Sequence, residues 1–511
     1  MPYVRQPRPP GAAPGHLHPA HSERRTPPTS PEHHPRDTFP PQLLRLAAHL
    51  KVRTPQSTYA ASRTRETASL LEEPMSVRLP FALRCASVAA LLTAPLVLAP
   101  AAGAAPKAGS ALPGDIVVTA PGGDYVSVLT KGDPAAHREL PGARPVVRDL
   151  DGDGRKDLAV QRDNEDGGGV AVYWGTGSGY ASKPTLVSGA TLDSGLTAGD
   201  FDGDGHMDLI AAGPEGPGDV RLTVAYGPLT RAGAPARTAK LNTKETFAPD
   251  EIVSGDFNGD GRSDVVTEHS FEEAGHPSQL WTGGAKGLGT TSRELAIAGA
   301  MAAGDVDGDG VDDLVIRAVP DGLVEELDFD HGTVQVLYGS ETGPGKPVST
   351  ITQNTKGVPG VNEDGDAFGA SLAVGDVDGD GCADVAVGVP GEALRRGGKN
   401  LDDAGSVVLL KGSWKGLTGE GATAVTQDSK GVPGVSEAGD EFGSAVSLRD
   451  IAANGRTSLV VGAPGEDTDS KDSGAVWVLP KGATSGAWAV NPGDLGRTGN
   501  EEARFGAGFG R

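Results

Sequence analysis

Asp149-Leu150-Asp151-Gly152-Asp153-Gly154-Arg155-Lys156-Asp157 puts acidic residues at positions 1, 3, 5 and 9 of a nine-residue stretch. The pattern returns at Asp200, Asp202, Asp204, His206 and Asp208, and again at Asp256, Asn258, Asp260, Arg262 and Asp264. Two further copies run through Asp305, Asp307, Asp309, Val311 and Asp313, and through Asp376, Asp378, Asp380, Cys382 and Asp384. Carboxylates crowded this closely repel one another unless a cation lies among them. Hard oxygen ligands from positions 1, 3, 5 and 9, with a backbone carbonyl from position 7 (Arg155, His206, Arg262, Val311, Cys382), suit calcium, and about five ions are expected. Glycine at position 6 permits the sharp turn. An EF-hand would need Glu at position 12, inside a helix. That position is Val160 in the first copy and Ala211 in the second, and each loop runs into a short apolar strand such as Leu158-Ala159-Val160.

The first aspartates fall at 149, 200, 256, 305 and 376, and a degenerate copy, Asp450-Ile451-Ala452-Ala453-Asn454-Gly455-Arg456-Thr457-Ser458, has lost most of its carboxylates. Such a period is too long for a β-helix coil and suits a four-stranded propeller blade. Strand-like runs after the loops include Gly169–Trp174, Thr333–Tyr338, Ser406–Leu410 and Ala475–Leu479. Helical spacing is absent after Ala105, so the fold class is all-β. Gly114–Gly122 matches the strand that follows a loop, without the strand before it. Arg504–Arg511 matches the strand that precedes one. The two ends therefore complete one shared blade, predicting a seven-bladed β-propeller closed by the C-terminal strand.

Net charge over the 511 residues is −23, which argues against nucleic acid as a partner. Residues 1–74 are rich in Pro, Arg and His and carry no sustained apolar period, as in a disordered or mis-assigned extension. Residues 75–104 read as a secretory signal peptide: basic Arg78 and Arg84, an apolar run from Cys85 to Leu98, then small residues around Ala101 and Ala104. The propeller is expected to span 105–511 and to be secreted, monomeric and without a membrane anchor. Beyond Cys85 there is one cysteine, Cys382, so calcium loops would stand in for disulfides.

Phe442-Gly443 with Gly462-Ala463-Pro464, and Phe368-Gly369 with Gly388-Val389-Pro390, resemble the FG-GAP repeat family, the propeller of integrin α subunits and its bacterial relatives. The resemblance covers roughly Gly114 to Arg511, although the blades before Phe368 have lost Phe-Gly. It implies calcium in the loops joining the first two strands of each blade. It also implies partners on the opposite face, through loops joining strands two and three or successive blades. The expected function is a binding or adhesion module for an extracellular protein or glycan. Candidate surfaces are Asp321–Glu326, Glu392–Asp403 and Glu466–Asp472. The alternative is a hydrolase or polysaccharide lyase built on a propeller. The sequence offers neither a Gly-x-Ser-x-Gly elbow nor a His-Glu-x-x-His helix for it, and His137, His206, His269, His276 and His331 form no recognisable motif.

Overall fold

A computed structural model describes residues 114–510, apart from 121–124, 163–168, 191–193, 217–218, 244, 246, 452–455, 469 and 498–500. The extension and the signal peptide lie outside the described residues. Seven antiparallel four-stranded sheets follow one another as blades. Numbered along the chain, blade 2 is Ala143–Arg148, Asp157–Arg162, Gly169–Tyr173 and Thr185–Leu186. Blade 3 is Leu196–Gly199, Asp208–Gly216, Asp219–Tyr226 and Arg237–Asn242. Blade 4 is Glu251–Gly255, Asp264–Phe271, Ala274–Trp281 and Arg293–Glu294. Blade 5 is Ala298–Gly304, Asp313–Ala318, Val334–Leu337 and Ser349–Ile351. Blade 6 is Leu372–Gly375, Asp384–Val389, Ser406–Leu410 and Thr423–Val425, and blade 7 is Ala445–Arg449, Ser458–Ala463, Ala475–Leu479 and Trp488–Val490.

Blade 1 closes the ring as expected. Its outer three strands, Ile116–Thr119, Tyr125–Leu129 and His137–Pro141, come from the N-terminal side, and its inner strand, Gly508–Phe509, from the C-terminal end. Val118 pairs with Phe509 and Thr119 with Gly508. The seam is also filled by apolar contact: Ile116 and Leu129 of blade 1 pack with Val460, Val476 and Phe505.

With few aromatics, the core comes from β-branched and small residues buried between neighbouring sheets. Each fully buried Val or Leu contributes roughly 1.5–3 kcal/mol relative to exposure. The inner strands enclose a channel of about 710 Å³. Small residues such as Ala300, Ala302, Ala373 and Ser447 line it, with Glu251 and Glu268 among its acidic groups and Arg148, Lys156 and Arg449 among its basic ones. Among the described residues no helix is long and apolar enough to cross a membrane.

Candidate metal centre and the clasps between blades

Each acidic loop joins the inner strand of its blade to the second strand. In the first, Asp149 folds the chain around its own carboxylate. Oδ1 accepts the amides of Gly152 and Asp153, and Oδ2 accepts that of Gly154 at 2.8 Å. The other loops repeat the bond from the position-6 glycine to the position-1 carboxylate. Glycine is required at position 4 as well as position 6, with φ +74° at Gly152 and +84° at Gly154.

Positions 1, 3 and 9 converge. One carboxylate oxygen from each of Asp149, Asp151 and Asp157 lies within 4.8 Å of the others, and so it is for Asp200/Asp202/Asp208, Asp305/Asp307/Asp313 and Asp376/Asp378/Asp384. Blade 4 keeps Asp256 and Asp264 but presents Asn258 at position 3, whose Oδ1 accepts the Asp260 amide. Position 5 stands outside these triplets. Asp153, Asp204, Asp260, Asp309 and Asp380 instead accept the amide of position 7, which caps the turn. Position 7 has a further role that the sequence did not announce. Its side chain lies over the position-4 glycine of the preceding loop: His206 over Gly152, Arg262 over Gly203, Val311 over Gly259, Cys382 over Gly308. His206 is half-buried in this way, and the Cys382 thiol is fully buried.

Position 9 anchors the loop. Asp157, Asp208, Asp264, Asp313 and Asp384 are at most 2 % exposed. Asp208 Oδ2 accepts the Phe201 amide at 2.9 Å, and its Oδ1 accepts that of Gly227, beyond the third strand, at 2.7 Å. Burial pushes Asp157 up to about 6 and Asp208, Asp264 and Asp313 up to about 7, against the pull of the amides. The neighbouring acidic residues at positions 1 and 3 push Asp157, Asp208 and Asp313 the same way. Two oxygens in these loops, Asp202 Oδ1 and Asp264 Oδ2, are buried without a hydrogen-bond partner. Hard oxygens, mutual repulsion and orphaned acceptors together form a donor set that fits a divalent cation. Basic side chains already offset some of this charge: Arg231 reaches Asp151 and Asp153 at 2.6 and 2.8 Å, Arg237 reaches Asp202 at 2.7 Å, and Lys411 pairs with Asp378.

The loops also tie blade to blade. The position-1 carbonyl of one loop accepts the position-8 amide of the next: Asp200 from Ser263 at 2.8 Å, Asp256 from Asp312 at 2.9 Å, Asp305 from Ala383 at 2.7 Å. The degenerate loop preserves the bond, Asp450 accepting from Gly114 at 3.1 Å across the seam. Asp115 then takes the position-9 place in blade 1, accepting the Lys131 amide at 2.9 Å.

A second set of ties is confined to blades 6, 7 and 1. Phe368, Phe442 and Phe505 are buried, and Phe442 meets Trp477 edge to face at 5.4 Å. Gly443 donates to the Gly462 carbonyl at 3.0 Å within blade 7. Any Cβ on Gly462 would strike the Gly506 carbonyl of blade 1, and any on Gly388 would strike that of Gly443. The first glycine of the Gly-Ala-Pro turn is therefore where the next blade's Phe-Gly strand rests. Blade 1 confirms the logic: Gly506 donates to Thr119, which bears a side chain, and blade 2 has no Phe-Gly strand to rest there.

On the face away from the acidic loops, the second-to-third-strand hairpins of blades 4 and 5 zip together through Ala274 and Leu323. Phe271 there is 53 % exposed and stacks on Phe247 at 5.2 Å, and Phe329 is 74 % exposed. His269 lies fully buried beneath, 2.9 Å from Thr267 Oγ1, and burial lowers it to about 4. Of the surfaces expected from sequence, Leu394–Arg396 and Lys399–Leu401 form an exposed two-stranded ribbon, and Val324–Glu326 is a short 3₁₀ turn. The stacking of Phe247 on Phe271 escaped the sequence because one lies in the connector before blade 4 and the other at the end of that blade's second strand.

A closed ring of seven blades with acidic inter-strand loops able to hold metal defines a β-propeller of the repeat-corner type. Residues 149–211 match the FG-GAP-like repeat model, and 368–410 and 425–479 match FG-GAP repeat models, so these segments of the propeller carry FG-GAP repeats. It is similar to integrin alpha pat-2 of Caenorhabditis elegans, 31 % identical over 187 residues, which is 35 % of this chain and 13 % of that protein. Similarity to integrin alpha-5 of Xenopus laevis is 33 % over 178 residues, 33 % of this chain and 15 % of the relative. Phosphatidylinositol-glycan-specific phospholipase D of Mus musculus is 30 % identical over 176 residues, 34 % of this chain and 19 % of its own length. The matched region thus spans less than a fifth of each of these relatives.

Proposed function

We propose that this chain is a secreted, calcium-stabilised propeller acting as a binding or adhesion module for an extracellular protein or glycan. The observation that carries the reading is the convergence of positions 1, 3 and 9 at successive blade corners. In this reading the ions sit in the loops at Asp149–Asp157, Asp200–Asp208, Asp256–Asp264, Asp305–Asp313 and Asp376–Asp384. Position 7 of each loop adds a carbonyl. The metal's task is to hold the corners, which leaves recognition to the opposite face. There the exposed Phe271 and Phe329 and the Leu394–Leu401 ribbon offer an apolar and a charged surface.

The similarity to integrin alpha chains supports a binding role. The phospholipase D relative matches over an extent like that of the integrins, 34 % of this chain and 19 % of its own length, which supports a shared module rather than a shared reaction. Probing the chain against an array of matrix proteins and glycans, with and without chelator, tests the reading. A ligand whose binding needs calcium and falls with Phe271→Ser supports it. Hydrolysis of a substrate, abolished by changing one carboxylate of the ligand face, would replace it with the enzyme reading.

A further inference from the structure

The end of the channel beside the acidic loops gathers three cationic side chains. Arg148 ends the inner strand of blade 2, Arg449 ends that of blade 7, and Lys156 occupies position 8 of the first loop. All three line the channel. Lys156 and Arg449 are half-buried, and Arg148 stays accessible from the channel. Blade 1 lies between blades 7 and 2, so the group spans the seam at which the ring closes. Arg449 Nη1 donates to the Asp115 carbonyl, at the entry to blade 1, at 3.3 Å, and its Nε donates to Ser447 Oγ at 3.0 Å. Arg148 Nη1 donates to the Val147 carbonyl at 2.8 Å.

In a chain of net charge −23, carboxylates are at hand for most cations. Arg231, Arg237 and Lys411 each reach a loop aspartate on this same face. Among the described residues Arg148, Lys156 and Arg449 form no ion pair. Their charges bear on one another instead. Burial, then the charge of Arg148, lowers the Arg449 guanidinium to about 10, against Tyr180 and Asp115. Burial, then Arg449 and Arg148, lowers the Lys156 ammonium, against the more distant pull of Asp115 and Asp450. Asp115 is already engaged by the Lys131 amide at 2.9 Å. Like charges gathered in a partly enclosed channel repel more strongly than they do in water, and an anion among them removes that cost. The far end of the channel carries the opposite sign. Glu251 starts the inner strand of blade 4 opposite Glu268, with Asp250 beside them. An anion is therefore drawn to the loop end and repelled from the other.

We propose that Arg148, Lys156 and Arg449 hold a sulfate or phosphate group at the loop end of the channel. Two guanidinium forks, one from blade 2 and one from blade 7, and a single ammonium suit the oxygens of a tetrahedral oxyanion. Arg148 Nε and Nη2, Arg449 Nη2 and Lys156 Nζ have no partner among the described residues and are the donors for it. Bound there, the group joins blade 7 to blade 2 across the shared blade, a tie added to the pairing of Val118 with Phe509. The site lies on the loop side and is independent of what the opposite face binds.

The test titrates inorganic sulfate into the full chain by calorimetry, with chloride adjusted to hold the ionic strength constant. One sulfate per chain is expected. Arg148→Gln and Lys156→Gln should each weaken its binding about tenfold or more, through loss of one charged donor. Absence of binding to the wild type, or equal affinity in the wild type and a folded variant, overturns the proposal. Selenate-soaked crystals of the wild type give a second readout that needs no variant. An anomalous selenium peak among the three side chains supports the site, and a map without one there overturns it. A peak in the crystal without binding in solution marks an adventitious ion only and overturns it too. A sulfated disaccharide, titrated in the same way, separates the two sources of the group. Affinity above that of free sulfate, lost in the same variants, supports the site with a sugar-borne sulfate as occupant, and affinity below it supports the site with a free ion.

Discussion

Blades 2 to 5 and blades 6, 7 and 1 solve the same problem differently. Both arcs must keep neighbouring sheets from sliding. The first arc relies on acidic corners: every one of its blades has the nine-residue loop, and none has Phe-Gly. The second arc adds the buried phenylalanine, the glycine ledge and a backbone clasp in which Phe368, Phe442 and Phe505 donate their amides to His331, Ala404 and Ser473 of the preceding blade, and its last corner, at Asp450, has shed most of its carboxylates. Acidic corners are thus dispensable where the clasp exists. Blade 6 holds both devices and marks the overlap.

The largest separation of the arcs is expected on removing calcium. Each occupied site contributes about 2.7 kcal/mol at a free ion concentration a hundredfold above its dissociation constant. Chelation should therefore lower the melting temperature sharply. Hydrogen exchange should show lost protection at Gly154, Gly205 and Gly261 while Gly443 and Gly506 keep theirs. A melting temperature indifferent to chelator sinks the metal assignment, and uniform loss of protection sinks the division into arcs.

Next in size is the ledge. Gly462→Val forces a side chain into the Gly506 carbonyl and should cost about 4 kcal/mol or more, read by urea unfolding in saturating calcium. Thr119→Gly, at the corresponding place in blade 1, should cost about 1 kcal/mol or less. Comparable losses from the two would mean that the ledge does not depend on the Phe-Gly strand it supports.

Within one loop the contrast is between anchor and cap. Asp208→Asn disturbs a buried carboxylate that accepts two amides and should cost about 3 kcal/mol, even in calcium-free buffer. Asp204→Asn, at an exposed cap, should cost about 1 kcal/mol or less there and show itself chiefly in calcium affinity.

The smallest effect concerns Glu268 of blade 4, 5 % exposed beside the channel. Burial, with Asp250 and Glu251 adding to it, pushes its carboxyl up to about 8. Its folded value lies above its unfolded one, so its contribution is fully present below about pH 4.5 and is lost as pH rises through 8. Glu268→Gln should therefore leave stability unchanged near pH 4 and raise it by about 1–2 kcal/mol at pH 9, a figure reduced for water in the channel. Melting curves at the two pH values check the sign. A variant equally stabilised at both would remove ionisation as the cause.

The sequence disclosed what is local or periodic. Positions 1, 3 and 9 were legible because one loop carries them all. Closure was legible because Gly114–Gly122 and Arg504–Arg511 each lack the complementary strand. Contacts between blades were not legible. That His206, Val311 and Cys382 roof the preceding loop, or that Gly462 receives Gly506, depends on how far one sheet is rotated from the next, and no residue spacing encodes that angle. Position 5 was expected among the ligands because its carboxylate fits the alternation; that its Oδ1 also caps the position-7 amide depends on the fold of the turn and is not written in the spacing. The stacked pair of Phe247 and Phe271 joins the connector before blade 4 to the end of that blade's second strand, so its parts read singly as scattered apolar residues.

The shared blade also sets how the ring can be tethered. The strand from Ile116 starts, and the strand ending at Phe509 finishes, beside the corner where Gly114 meets Asp450. Anything joined to the ring through Gly114 leaves from the side of the acidic loops. A ring held there turns its opposite side outward, as a dish on a short mast does. A pull applied through Gly114 and Gly510 together would load the pairing of Val118 with Phe509 first, opening the ring like a zip at one blade while the other six stay folded.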